Sequence, residues 1–235
     1  LVVMAVVAML DHNLAPGVPE TRQDRMLVSV DASFYSEDGG ICCGGGLPLY
    51  DTFARGLAGA EPLSIFSSVR LIDSYVEGRK IQSARKHTDA DFWQILDFVF
   101  IEGRPYSAAE VAGAAPVAVI SRQTRERFFG DQPAAGRTIE ADAQRYRVVG
   151  VVENVSSLRR VPYADIWAPY TTIKNPAYKS GLFGGFNAVV LASTPEARAA
   201  ISEEFNARLA QIDAAEFGSR LRRHKVDAPF EGKEQ

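Results

Sequence analysis

The sequence predicts an α+β fold in which two βα(β) units bracket a strand-rich middle. Three observations carry this. Residues 26–72 read as strand, helix, strand. Residues 187–228 read as strand, helix and a returning strand. Between them, short alternating or continuous apolar runs outnumber helical ones. That order places a second subdomain inside the first.

Each element has its own signal. Met26, Val28, Val30, Ala32 and Phe34 alternate with polar or smaller residues, the period-2 pattern of a half-buried strand. A loop over residues 36–46 holds five glycines but lacks the Gly-Lys-Ser/Thr ending of a phosphate loop. Pro48 sits at a helix start, and Tyr50, Phe53, Ala54 and Leu57 recur at helical spacing. Glu61-Pro62 ends that helix, and residues 63–72 resume as one strand.

In the middle, residues 74–76 and 80–83 flank a hairpin turn at Glu77-Gly78. Thr88-Asp89-Ala90-Asp91 opens a short helix as a capping-box variant, with Phe92, Trp93, Ile95 and Leu96 as its apolar body. Gly103-Arg104-Pro105 is a turn, and Ser107-Ala-Ala-Glu110 is a second capping box. Residues 117–120 form a buried strand. Ser121 caps a helix that carries Thr124, Phe128 and Phe129 and closes at Gly130. Residues 137–139 and 146–152 pair as a hairpin, followed by a short strand at Ile166-Trp167. Thr194-Pro195-Glu196 starts the last helix, whose inner face is Ile201, Phe205, Leu209 and Ile212. A strand over residues 219–228 returns to the sheet.

Composition narrows the function classes. The 235 residues are 46% hydrophobic and 23% charged, the balance of a folded chain rather than a disordered one. The net charge is −3 and the basic residues are dispersed, which excludes the broad positive surface that nucleic acid requires. Cys42 and Cys43 are adjacent within the glycine run. They read as incidental thiols or as a strained vicinal disulfide, and they leave the redox compartment open.

The apolar run over residues 1–10, LVVMAVVAML, is half the length that spans a bilayer. A buried core element, a signal-peptide core and the end of a membrane helix compete for it. The last is preferred, because a polar linker-like stretch over residues 11–24 follows and no basic region or small-x-small cleavage site accompanies the run.

The search for chemistry yields no catalytic, cofactor-binding or metal-ligating residue. His12, His87 and His224 are distant in sequence, lack metal-ligand spacing and read as surface histidines. Asp89, Asp91 and Asp97 cluster, but Asp89 and Asp91 suit a helix start. Arg122, Arg125 and Arg127 read as a solvated helix face, or more sharply as a contact for an acidic partner or lipid headgroups. A catalytic role would need a base or ligand to pair with such groups.

From Thr88 onward the succession of features is specific through its order. It runs Asp91-Phe92-Trp93, Gly103-Arg104-Pro105-Tyr106, Val117-Ala-Val-Ile-Ser121, Phe129-Gly130, Gly136-Arg-Thr-Ile139 and Tyr146-Arg-Val-Val-Gly-Val-Val152. This resembles the MacB-like periplasmic core domain of permeases in the MacB/FtsX group of ABC transporters, most clearly over residues 88–170.

The resemblance implies a bacterial cytoplasmic-membrane protein with this domain on the periplasmic side. It implies a remnant of the first transmembrane helix at 1–10 and a linker at 11–24. A membrane-proximal subdomain over 25–73 and 171–235 would carry an inserted strand-rich subdomain over 74–170. One hydrophobic span would precede the domain and three would follow it. Partners would be a cytoplasmic ABC ATPase, a second permease copy or homologue, the cytoplasmic membrane, and a periplasmic or outer-membrane protein. The domain would transmit ATP-driven motion or contact substrate or partner, with no cofactor and no enzyme activity of its own. A membrane-tethered sensor or ligand-binding domain without transport is the alternative. A periplasmic hydrolase would need a pocket with convergent polar groups and displaced pKa values.

Overall fold

The computed structural model describes residues 17–30, 32–35, 41–42, 44–76, 78–212 and 225–232. The apolar run at 1–10, residues 11–16 of the linker, Cys43, His12 and His224 lie outside these. So does the side chain of Cys42.

In chain order the elements begin with β1 (Met26–Ser29), β2 (Ser33–Tyr35), β3 (Ile41–Cys42), α1 (Leu47–Phe53) and β4 (Ala60–Ser67). Next come β5 (Arg70–Val76), β6 (Arg79–Thr88), α2 (Phe92–Ile95), β7 (Phe100–Gly103), α3 (Ala108–Ala112), β8 (Val117–Ser121), α4 (Arg122–Phe129), β9 (Thr138–Ala141), β10 (Gln144–Val152) and β11 (Ile166–Pro169). The chain closes with β12 (Phe186–Ala192), α5 (Ala197–Leu209), β13 (Lys225–Asp227) and β14 (Glu231–Gly232). Two compact units result. One holds Arg22–Ser68 with residues 173–232, the other Val69–Thr172 with residues 17–21.

The discontinuous unit is a split β-α-β arrangement. Strand β12 pairs antiparallel with both β1 and β4, so β1 and β4 run parallel with a strand from the far end of the chain between them. Strand β14 pairs antiparallel with β1 and so runs parallel to β12, making β12-α5-β14 the second such crossover. The order β14-β1-β12-β4 follows. Because β1 and β14 are antiparallel, the chain enters β1 and leaves β14 at the same end of the sheet.

The two helices of this unit meet through Tyr50 and Phe205, whose rings stack at 6.5 Å. Arg208 on α5 donates to the carbonyls of Phe53, Arg55 and Gly56, satisfying groups that the end of α1 leaves without helical partners. Beneath them Ile201, Leu209, Ile65 and Val189 are buried.

The second unit is an antiparallel and parallel sheet ordered β5-β6-β11-β8-β10-β7, with β9 also on β10. It curls until the Asp142 N–H, at the tip of the β9–β10 hairpin, reaches the Asp73 carbonyl of β5 at 3.4 Å. Arg85 on β6 bonds the Asp142 carboxylate at 3.1 Å. The curl encloses Ile72, Ile120, Ile139, Tyr146, Val148, Val151 and Ile166, with Phe128 and Phe129 packed against them. At the other end, Trp93 is ringed by Phe92, Phe98, Phe100, Tyr106 and Trp167 at centroid distances of 5.0–6.1 Å.

Several expectations change. The alternating run at 26–34 is two strands, and β1 is buried at all four positions, inside the sheet between β12 and β14. Glu61-Pro62 lies inside β4 rather than ending α1, and residues 63–72 belong to two strands. The helix at 92 is capped by Asp89, whose carboxylate accepts from the Phe92 N–H, while the Thr88 hydroxyl bonds the Asp89 carbonyl and the Tyr106 hydroxyl. Helix α5 ends at Leu209, before Ile212. The strand at the chain end is β13, paired with β2 in a separate three-stranded sheet, and β14 is the one that returns to β1.

The glycine run has a physical role at its end. A Cβ at Gly46 would lie 2.0 Å from the Gly181 carbonyl oxygen, and one at Gly44 would lie 2.5 Å from that of Gly184. The loop backbone bonds Leu182, Gly184 and Phe186 at this close approach.

Candidate functional site

The strand-rich unit carries a groove of about 640 Å³. Tyr75 and Val76 of β5 form one wall. Thr138, Ile139 and Glu140 of β9 with Arg145 and Arg147 of β10 form the other, and Phe128, Phe129 and Pro116 complete it. The phenylalanines lie there because α4, capped by the Ser121 hydroxyl accepting from the Thr124 N–H, closes at Gly130 with φ +61°. Arg137 stands 4.3 Å from the Phe129 ring centroid, a cation–π contact.

The charged groups among the described lining residues are Arg145, Arg147 and Glu140. Arg145 is 82% exposed and its nearest carboxylate, Glu140, lies 3.9 Å away. Arg147 lies 3.8 Å from Glu110, which Arg104 already holds through two bonds of 2.8 and 3.0 Å. Those bonds, together with the Ser107 amide, hold the Glu110 carboxyl down at about 2.

Three further groups have displaced pKa values. Lys86 on β6 is 1% exposed and donates to the carbonyls of Arg160 and Val161; burial lowers its pKa to about 7, partly offset by Glu20. His87 is buried, correcting the expected surface position. Burial, with Arg85 adding to it, lowers its pKa to about 3. Burial works against the Glu102 charge, but the Ala135 and Ala134 amides and Arg125 outweigh it and lower its pKa. None of these three lines the groove.

Asp89 caps α2, Asp91 bonds Gln94, and Asp97 accepts from the Thr21 hydroxyl, so the three carboxylates serve separate structural ends. Arg122 pairs with Glu153 and Arg125 with Glu102, so these two are anchored within the unit rather than forming a free solvated face; Arg127 is exposed. Among the described residues no group of three His, Cys, Asp or Glu comes together as a metal site. The groove is not legible in the sequence, because its walls come from residues 75–76, 116, 128–129 and the β9–β10 hairpin. The one signal for it was Phe128-Phe129 ending an arginine-rich helix.

The topology defines the class of protein: an α+β domain in which a split β-α-β unit carries a strand-rich unit between its halves. The model of the MacB-like periplasmic core domain matches residues 2–208, and the chain belongs to that family. It is 29% identical over 128 residues, 54% of its length, to the macrolide export ATP-binding/permease protein MacB of Pasteurella multocida. It is 32% identical over 87 residues, 35% of its length, to MacB 1/2 of Paracoccus denitrificans. These matches span 19% and 13% of those relatives.

Among solved structures, the periplasmic region of MacB from Actinobacillus actinomycetemcomitans superposes with a TM-score of 0.59 at 12% identity, covering 87% of this chain and 88% of that one. A domain of a putative permease from Porphyromonas gingivalis gives 0.64 at 13%, covering 90% of each. At these identities the likeness concerns the fold. No helix among the described residues is long and apolar enough to cross a membrane.

Proposed function

We propose that this chain is the extracytoplasmic domain of an ABC-transporter permease and that it passes ATP-driven motion to a substrate or partner outside the membrane. The family match over residues 2–208 carries this reading. Relatives named as ATP-binding/permease proteins support it. So does the pairing of Leu27 with Gly232 in β1 and β14, which brings the incoming and outgoing chain to one end of a sheet, as two neighbouring membrane anchors require. The domain then works by contact and displacement, and ATP hydrolysis belongs to a cytoplasmic ATPase.

Affinity purification of the intact gene product from detergent-solubilised membranes tests this. An ABC ATPase is expected to co-purify in stoichiometric amount. Recovery of a histidine kinase and no ATPase would overturn the reading in favour of a membrane-tethered sensor.

A further inference from the structure

The groove lies between two strand edges. Among the described residues, strand β9 pairs with β10 alone and β5 with β6 alone. Their other edges meet where the Asp142 N–H reaches the Asp73 carbonyl, and the groove opens beyond that point. Ladder parity decides which backbone groups face it. Ala141 and Gln144 flank the two-residue turn and Arg137 bonds Val148, so the odd-numbered residues of β9 face β10. Thr138 and Glu140 therefore turn their N–H and C=O groups toward the groove. On the opposite edge the Asp73 carbonyl faces β9, and Tyr75, two residues on, shares that direction.

We propose that this groove is a strand-addition site for an extended acidic segment of a partner protein, paired along the free edge of β9. Backbone bonds to Thr138 and Glu140 give such a segment its register. Alternate apolar side chains meet Val76, Pro116, Phe128 and Phe129, and the intervening acidic ones meet Arg145 and Arg147. Among the described lining residues, two arginines stand against the single carboxylate of Glu140, and this sets the sign of the partner. A second copy of this chain laid along the same edge would bring the same two arginines with it, which disfavours self-pairing.

The test uses the 235-residue chain, so its outcome is independent of whether the whole protein is a permease. The probe is a pool of synthetic octapeptides alternating an apolar residue with aspartate, followed by amide NMR shifts. Binding tighter than about 100 µM is expected, with shifts centred on the Tyr75, Thr138 and Glu140 amides. Replacing aspartate by lysine in the peptide is expected to abolish binding, as is N-methylating its edge-facing amides. The surface substitution Arg145→Glu is expected to weaken binding about tenfold. The proposal is overturned if no member binds more tightly than about 1 mM, or if the lysine or N-methylated peptides bind equally well. It is also overturned if the same amides shift only on self-association, or only with vesicles containing anionic phospholipid.

Discussion

Glu20 and Arg159, separated by 139 residues in the chain, form a 3.0 Å salt bridge in which the carboxylate is wholly buried. Both belong to the strand-rich unit, and the same carboxylate partly offsets the burial of Lys86. The short segment at 17–21 is thereby fixed to the unit by charge as well as by the Pro19 carbonyl, which accepts from the Asp97 amide at 2.8 Å.

Removing one partner leaves the other charged and buried. Glu20→Ala is expected to cost about 3–5 kcal/mol, read from urea denaturation. The double variant Glu20→Leu/Arg159→Met is expected to recover a large part of that loss. Equal destabilisation by the single and double variants would show that the pair is not the source.

Lys86 makes stability depend on pH. Its folded pKa, about 7, lies below its unfolded value of 10.5, so between these the unfolded chain binds a proton that the folded chain releases. Stability therefore rises as pH climbs from about 7, by at most about 1.4 kcal/mol per pH unit, and this contribution is flat below that. Urea midpoints measured from pH 7 to 9 are expected to rise less steeply in Lys86→Met than in the unsubstituted protein. Parallel slopes would exclude Lys86 as the titrating group.

The box at Ser107 is complete. The Ser107 hydroxyl accepts from the Glu110 amide and the Glu110 carboxylate accepts from the Ser107 amide. Ser107→Ala is expected to cost about 1 kcal/mol at neutral pH. Because the Glu110 pKa is depressed, its contribution is present above its ordinary 4.5 and lost as pH falls toward about 2. Glu110→Gln is expected to flatten that part of the acid unfolding curve.

The Ser107 box was legible in the sequence because both partners lie within four residues, and so were Ser121 as a cap and Gly130 as a helix end. The cap at Asp89 was misread, since Thr88, Asp89 and Asp91 each offer a cap oxygen and only the tertiary engagement of Thr88 with Tyr106 decides among them. The pairing of β1 with β12, more than 150 residues away, is one that no local pattern reveals. The groove was hidden for the same reason: Tyr75 and Glu140 become neighbours through the curl of the sheet.

The hairpin turn stores a smaller misfit. Asp142 and Ala143 have φ of +56° and +53°, a pair of conformations that favours Asn or Asp followed by Gly. Ala143→Gly is expected to raise stability by about 0.5–1 kcal/mol, as relief of the left-handed alanine exceeds the added unfolded-state entropy. A loss of stability in thermal unfolding would show that the methyl group contributes packing that outweighs its backbone cost.

A domain that moves in response to ATP changes its distance to a second copy of itself in the assembled protein. The full-length protein with its ATPase, in lipid nanodiscs and with Cys42 and Cys43 replaced by serine, can carry a spin label at Leu71→Cys, a position 67% exposed. The label-to-label distance distribution, measured without nucleotide and in the ATP-trapped state, is predicted to shift to a distinct maximum and to return after hydrolysis. Identical distributions in the two states would show that the domain does not move with ATP.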